Sequence, residues 1–138
     1  MGRIDLRDIS VTFASRSGQA YRALANVSLT VESGQFLCLL GPSGCGKSTL
    51  LNIIAGFERP SSGEALMDGS PIVGPDTRRA MIFQNVQGAL MPWLSTIQNV
   101  AFGMRLRGIP EAERTETASR YLRLVGLERH ATKFPLVS

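Results

Sequence analysis

Residues 41–48 read GPSGCGKS and fit G-x-x-x-x-G-K-[ST], the pattern of a phosphate-binding loop. This short stretch constrains the chain more than any other. Gly41, Gly44 and Gly46 raise the entropic cost of ordering the loop, so their use needs a return. They let successive backbone N–H groups turn inward and approach an anion closely. The flanks match what such a loop requires. FLCLLG before it is a continuous apolar run, which predicts a strand buried on both faces of a parallel sheet. Ser48 to Ala55 after it reads as a helix, with Leu51, Ile54 and Ala55 on one face and Gly56 as its stop. That helix aims its positive dipole end at the same anion. Lys47 then supplies a charge for β- and γ-phosphates, and the Ser48 hydroxyl supplies an oxygen for Mg²⁺.

Composition narrows the remaining classes. The 138 residues suffice for one domain with a core. No run approaches the roughly 18 apolar residues of a membrane span. The opening MGRIDLRDIS has no secretory core, so export is not expected. The net charge of +4 is spread over scattered arginines with no basic run, so nucleic acid is not an expected partner. Cys38 and Cys45 are too few for a disulfide framework and fit a reducing compartment. Cys45 reads as a small loop filler, Cys38 as core, and His130 as a surface residue.

Around the loop, residues 3–13 alternate as a strand with one break in phase. ASRSGQ is a turn, and YRALANVSLTV is the hairpin partner of the first strand. EALMDGSPI reads as a short strand with an Asp68-Gly69 turn, and RRAMIFQ as a second apolar strand. Beyond an irregular NVQGALMPWL, STIQ at residues 95–98 forms a capping box. The helix it opens carries Ile97, Val100, Ala101 and Met104 at helical spacing. Pro110 opens a last helix with Ala118, Tyr121, Leu122 and Val125 on its buried face. Trp93 is left open between core and partner contact.

The ordered set LLGPSGCGKSTLLNIIAGFERPSSGEALMDGSPI, MIFQ, LMPWLSTIQNVAFGM and LVGL resembles the ATP-binding subunit of ABC transporters, nearest the nitrate, sulfonate and taurine importers. The resemblance runs from Ile4 to Pro135. It implies an α/β P-loop NTPase core with an N-terminal antiparallel β-subdomain. Residues 1–84 would form the β-subdomain and P-loop core, and 85–138 the start of a helical subdomain. It implies ATP and Mg²⁺ as ligands. Gly41, Pro42, Ser43, Gly44, Cys45, Gly46, Lys47, Ser48 and Thr49 would form the Walker A loop. Phe13 would stack on adenine. Gln84 would touch Mg²⁺ and the attacking water, and Ser48 would be the other metal contact. Lys47 and Gln84 are thereby the expected catalytic residues.

The resemblance also implies a permease in the membrane, a second ATP-binding subunit and, indirectly, a solute-binding protein. The expected place is the cytoplasmic face of the cell membrane, as a peripheral subunit. The family's signature loop, Walker B acids and switch histidine do not occur in these residues; KFPLVS stands where the signature should begin. The expectation is a fold incomplete at the C-terminus that binds ATP without hydrolysing it alone, with FLCLL left as an unpaired apolar edge. The rival reading is a non-catalytic nucleotide-binding or permease-interaction fragment. Another P-loop enzyme fits less well, since no N-K-x-D motif occurs and small kinases lack the segment around Gln84.

Overall fold

A computed structural model describes residues 2–14, 19–84 and 89–135. The expected turn at ASRSGQ lies largely outside these residues, as does all of NVQG after Gln84. The chain forms two compact units, residues 1–81 and 82–138.

The first unit is built on an antiparallel sheet. Strands β1 (Ile4–Ala14), β2 (Ala20–Val31), β3 (Ser62–Met67) and β4 (Ser70–Pro71) lie in the order β2-β1-β3-β4. The break in phase along β1 has a physical cause. Leu6, Ile9 and Val11 are all buried, yet Leu6 and Ile9 are three residues apart, which in a regular strand puts them on opposite faces. Asp8 absorbs the extra residue in a left-handed conformation, φ 49°. On β2, Asn26 does the same at φ 47°, so that Leu24 meets Val11 and Val27 meets Ile9. Asp and Asn tolerate this region better than bulkier residues. Each bulge is tied across the hairpin. The Asp8 N–H donates to Ser28 Oγ at 2.9 Å, and the Asn26 N–H donates to Ser10 Oγ at 2.9 Å. Between β3 and β4, Asp68 and Gly69 both take positive φ, 51° and 77°, as a two-residue hairpin turn requires.

Helix α1 (Lys47–Ala55) packs on this sheet through Leu50 and Ile53, which join Leu6, Ile9, Val11, Leu24 and Ala65 in the core. The expected face of Leu51, Ile54 and Ala55 is a second flank. It lines a hollow of about 240 Å³ with Ile4, Met67 and Arg79, and Leu51 stays 45% exposed. Gly56 ends the helix in the left-handed region, φ 87°, its N–H returning to Asn52 and Ile53 carbonyls. Ile53 is 1% exposed, so Ile53→Val leaves a methyl-sized void. That change lowers unfolding stability by about 1 kcal/mol, read by urea titration. In the connection after β4, the Arg78 side chain and N–H bond Asp76 and hold its carboxyl well below the usual carboxylate range.

Two expected strands do not form. Residues 36–40 and 78–84 have no strand pairing among the described residues. Phe36 is 93% and Leu40 88% exposed: the run has the composition of a strand buried on both faces but lies as the unpaired apolar edge expected of these residues alone. An extended segment becomes a strand only when a neighbour takes its backbone groups. No described strand runs beside this one, so its apolar run stays on the surface.

The second unit is an α-helical pair, α2 (Thr96–Leu106) and α3 (Glu111–Leu124), followed by a 3-10 turn at Glu128–His130. Ala101 on α2 and Ala118 and Leu122 on α3 are buried, whereas Val100, Tyr121 and Val125 are exposed, unlike the expected faces. The capping box forms, with Gln98 Oε1 accepting from the Ser95 N–H at 2.9 Å. No described helix is long and apolar enough to cross a membrane.

Candidate functional site

The loop 41–46 enters α1 through Gly46, whose φ of 95° is left-handed. A Cβ there would sit 2.6 Å from the Ala23 carbonyl oxygen and 2.6 Å from Leu24 Cδ2, so only glycine lets the loop lie on β2. Two residues earlier, Tyr21 Oη donates to the Gly44 carbonyl at 3.2 Å. The loop is thus tied twice to the same strand. Gly44 is also left-handed, φ 81°, but faces open space.

Lys47 begins α1 and turns back over the loop. Its Nζ donates to the carbonyls of Gly41 at 2.7 Å and Pro42 at 2.6 Å, and lies 3.5 Å from Cys45 Sγ. An ammonium held by two carbonyls is stabilised by charge-assisted bonds that an anion can replace. The first intrahelical bond of α1 runs from Leu50 N to Gly46 O at 2.9 Å, so the amides of Lys47, Ser48 and Thr49 precede the helix's own ladder.

The three long helices treat their N-termini differently. On α2, Thr96 and Ile97 N–H groups donate to the carbonyls of Lys133 and Ala131, 2.8 and 2.9 Å. On α3, Glu111 and Glu113 sit in the first turn and complement the dipole. On α1 the cap is glycine, no side chain caps it, and no acid occupies the first turn. A glycine loop, a lysine and an uncapped helix start converge there. Chemically, this arrangement offers donors and positive potential to a phosphate chain.

The exposed Ser48 hydroxyl is in the first turn of α1. Among the described residues no group of three His, Cys, Asp or Glu side chains is placed to hold a metal. A Mg²⁺ ion here would draw on hydroxyl, phosphate and water oxygens, a donor set that suits it. Phe13 stands opposite Tyr21 in the hairpin register and is 39% exposed, so one face of the hairpin carries both rings near the loop. Gln84 is exposed and belongs to the second unit.

In the second unit, Trp93 is 71% exposed, which settles it as a surface residue. Asn99 holds the loop that presents it. Its Nδ2 donates to the carbonyls of Met91, Leu94 and Ser95 at 3.1, 2.9 and 3.1 Å, and its Oδ1 accepts from Met91 N at 2.8 Å. Asn99→Ala removes all four. Partial rehydration limits the cost to about 1.5 kcal/mol, visible as faster amide exchange around residues 91–95. Sequence reading did not single out Asn99 or Tyr21. For Tyr21 a signal existed, an aromatic in the hairpin partner of the Phe13 strand.

Loop, lysine and helix define the chain as a P-loop nucleotide-binding fold. Comparison with known proteins gives the family. Residues 24–136 match the ABC transporter family, and the chain belongs to it. A taurine import ATP-binding protein TauB of Chromobacterium violaceum is 53% identical over 118 residues, 86% of this chain and 44% of the relative. A TauB of Pseudomonas aeruginosa is 48% identical over 131 residues, 95% of this chain and 49% of the relative. A dimeric structure of the ATP-binding cassette MJ0796 in a post-hydrolysis state, bound to ADP and Pi, superposes with a TM-score of 0.81. It is 30% identical, with 96% of this chain and 61% of that one covered. The chain spans about half the length of the curated relatives it matches.

Proposed function

We propose that the chain is the ATP-binding part of an ABC importer subunit that couples ATP hydrolysis to uptake of taurine or a related sulfonate or nitrate-like solute. The observation that carries the nucleotide reading is Lys47 folded onto the Gly41 and Pro42 carbonyls at the uncapped start of α1. The solute class is supported by the names of the relatives, 48–53% identical to this chain. Nucleotide phosphates take the place of the two carbonyls on Lys47 Nζ, and the amides of 44–49 close around them. Phe13 offers its ring face to the base. Ser48 Oγ and the Gln84 side-chain oxygen would be the protein oxygens on Mg²⁺, which neutralises phosphate charge when bound. Gln84 senses the γ-phosphate.

In the transporter the subunit works at the cytoplasmic face of the membrane, paired with a second ATP-binding subunit. The loop that presents Trp93 meets the permease, and a solute-binding protein delivers the solute. A second reading has a specific observation behind it, the exposed apolar run at residues 36–40. It is that these 138 residues alone are a nucleotide-binding module without catalysis. Among the described residues the strand on which the loop lies, β2, carries no acid to orient water, and phosphoryl transfer needs that positioning.

Titration of the purified chain with a fluorescent ATP analogue and Mg²⁺ tests both readings. Displacement by ATP and ADP but not by adenosine is expected, with no phosphate release. Displacement by adenosine alone would remove the phosphate-loop reading. Phosphate release abolished by Lys47→Ala would show that the chain hydrolyses ATP by itself.

A further inference from the structure

We propose that Tyr21 is a positioning residue for the phosphate loop, fixing one of its amides through the Gly44 carbonyl. The proposal rests on the nucleotide reading above. Tyr21 Oη donates to Gly44 O at 3.2 Å, and Gly44 is left-handed, with nothing within 4 Å of where a Cβ would stand. A glycine peptide at φ 81° turns freely unless something grips it. In a trans peptide the C=O of Gly44 and the N–H of Cys45 point in opposite directions. Gripping that carbonyl from the hairpin therefore aims the Cys45 N–H away from the hairpin and stops the peptide from flipping.

The second tie, Gly46 against Ala23 and Leu24, keeps the other end of the same short loop on the same strand. Between them the loop is held from β2 before any phosphate arrives, so less ordering remains to be done on binding. Tyr21 also faces Phe13 across the hairpin, so the strand pair that offers a ring to the base also braces the loop. The rival role for Tyr21 is a base contact of its own.

The test compares wild type with Tyr21→Phe, which keeps the ring and removes the donor. Each is titrated with MgATP, MgGTP and inorganic triphosphate, and amide exchange is followed without ligand. The expected result is a roughly fivefold rise in Kd for all three ligands, with the ATP-to-GTP ratio unmoved. Exchange should quicken at 41–46 and not at 96–106. Unchanged triphosphate affinity overturns the proposal. A shifted ATP-to-GTP ratio with triphosphate unaffected overturns it in favour of a base contact. Equal quickening in both segments overturns it in favour of a general loss of stability. Failure of the nucleotide reading itself would look different: wild type would bind no triphosphate in a Lys47-dependent way.

Discussion

Lys47→Ala should raise the Kd for MgATP by about a hundredfold while leaving the fold intact. In the ligand-free loop Nζ is shared by two carbonyls at 2.7 and 2.6 Å. Those carbonyls are on exposed residues, so after truncation water can take the place of the ammonium. The bound state has no such substitute. There the ammonium would bridge two phosphate groups, and charge-assisted bonds of this kind are worth about 1.5–3 kcal/mol each. Losing them, less the carbonyl bonds already surrendered, gives about 3 kcal/mol, or two decades in Kd. The loss should fall mostly on the triphosphate: adenosine affinity should barely change. Isothermal titration with ATP, ADP and adenosine reads this directly. A Kd for ATP within threefold of wild type would mean that the loop does not hold phosphate through this lysine.

The parts of the fold that could be read from sequence are those decided by neighbours in sequence. The Asp68-Gly69 turn needs two residues that accept positive φ, and both are present in the right order. The Ser95–Gln98 box and the Gly56 stop are likewise local: each matches a side chain or a missing Cβ to a backbone group within four residues. Residues 36–40 are the opposite case. Their apolar run is the composition of a central strand, but strand formation depends on a distant segment to pair with, and none lies beside it among the described residues. The apolar face of α1 read at Leu51, Ile54 and Ala55 is packed in part, with Ala55 buried and Ile54 against the core while Leu51 stays exposed, for a related reason. The helix has two apolar flanks, and the sheet takes the one with Leu50 and Ile53. Periodicity alone does not choose between them.

The same division holds at the loop. Its residue types were legible because G-x-x-x-x-G-K-[ST] is a local pattern. Its attachment to β2 was not, because the register that brings Tyr21 to Gly44 and Ala23 to Gly46 is set by three shifts along the hairpin, near Asp8, near Asn26 and at Ala23 between the pairs Val11–Leu24 and Thr12–Arg22. Shifting a strand by one residue would turn Tyr21 to the other face. Placing that ring at the loop therefore depends on counting all three shifts correctly.

Attachment of the loop to β2 predicts unequal costs for two glycine substitutions that sequence alone would rank together. Gly44 and Gly46 both have left-handed φ, 81° and 95°, so alanine at either carries the backbone penalty of about 1 kcal/mol or somewhat more. At Gly44 nothing lies within 4 Å of the added Cβ, and the penalty ends there. At Gly46 the Cβ would meet the Ala23 carbonyl oxygen and Leu24 Cδ2, each at 2.6 Å. Leu24 can rotate, but the carbonyl belongs to the backbone of β2 and Leu24 is itself 8% exposed in the core. Relief requires the loop to lift or the strand to bend, and overpacking of this kind costs about 1–3 kcal/mol further. Gly46→Ala should therefore destabilise by about 3 kcal/mol and Gly44→Ala by about 1 kcal/mol, measured by urea unfolding. Because Gly46 is also the N-cap of α1, the lifted loop should lose phosphate affinity as well. Equal losses at the two positions would show that the loop stands clear of β2, and the brace attributed to that strand would fall with it.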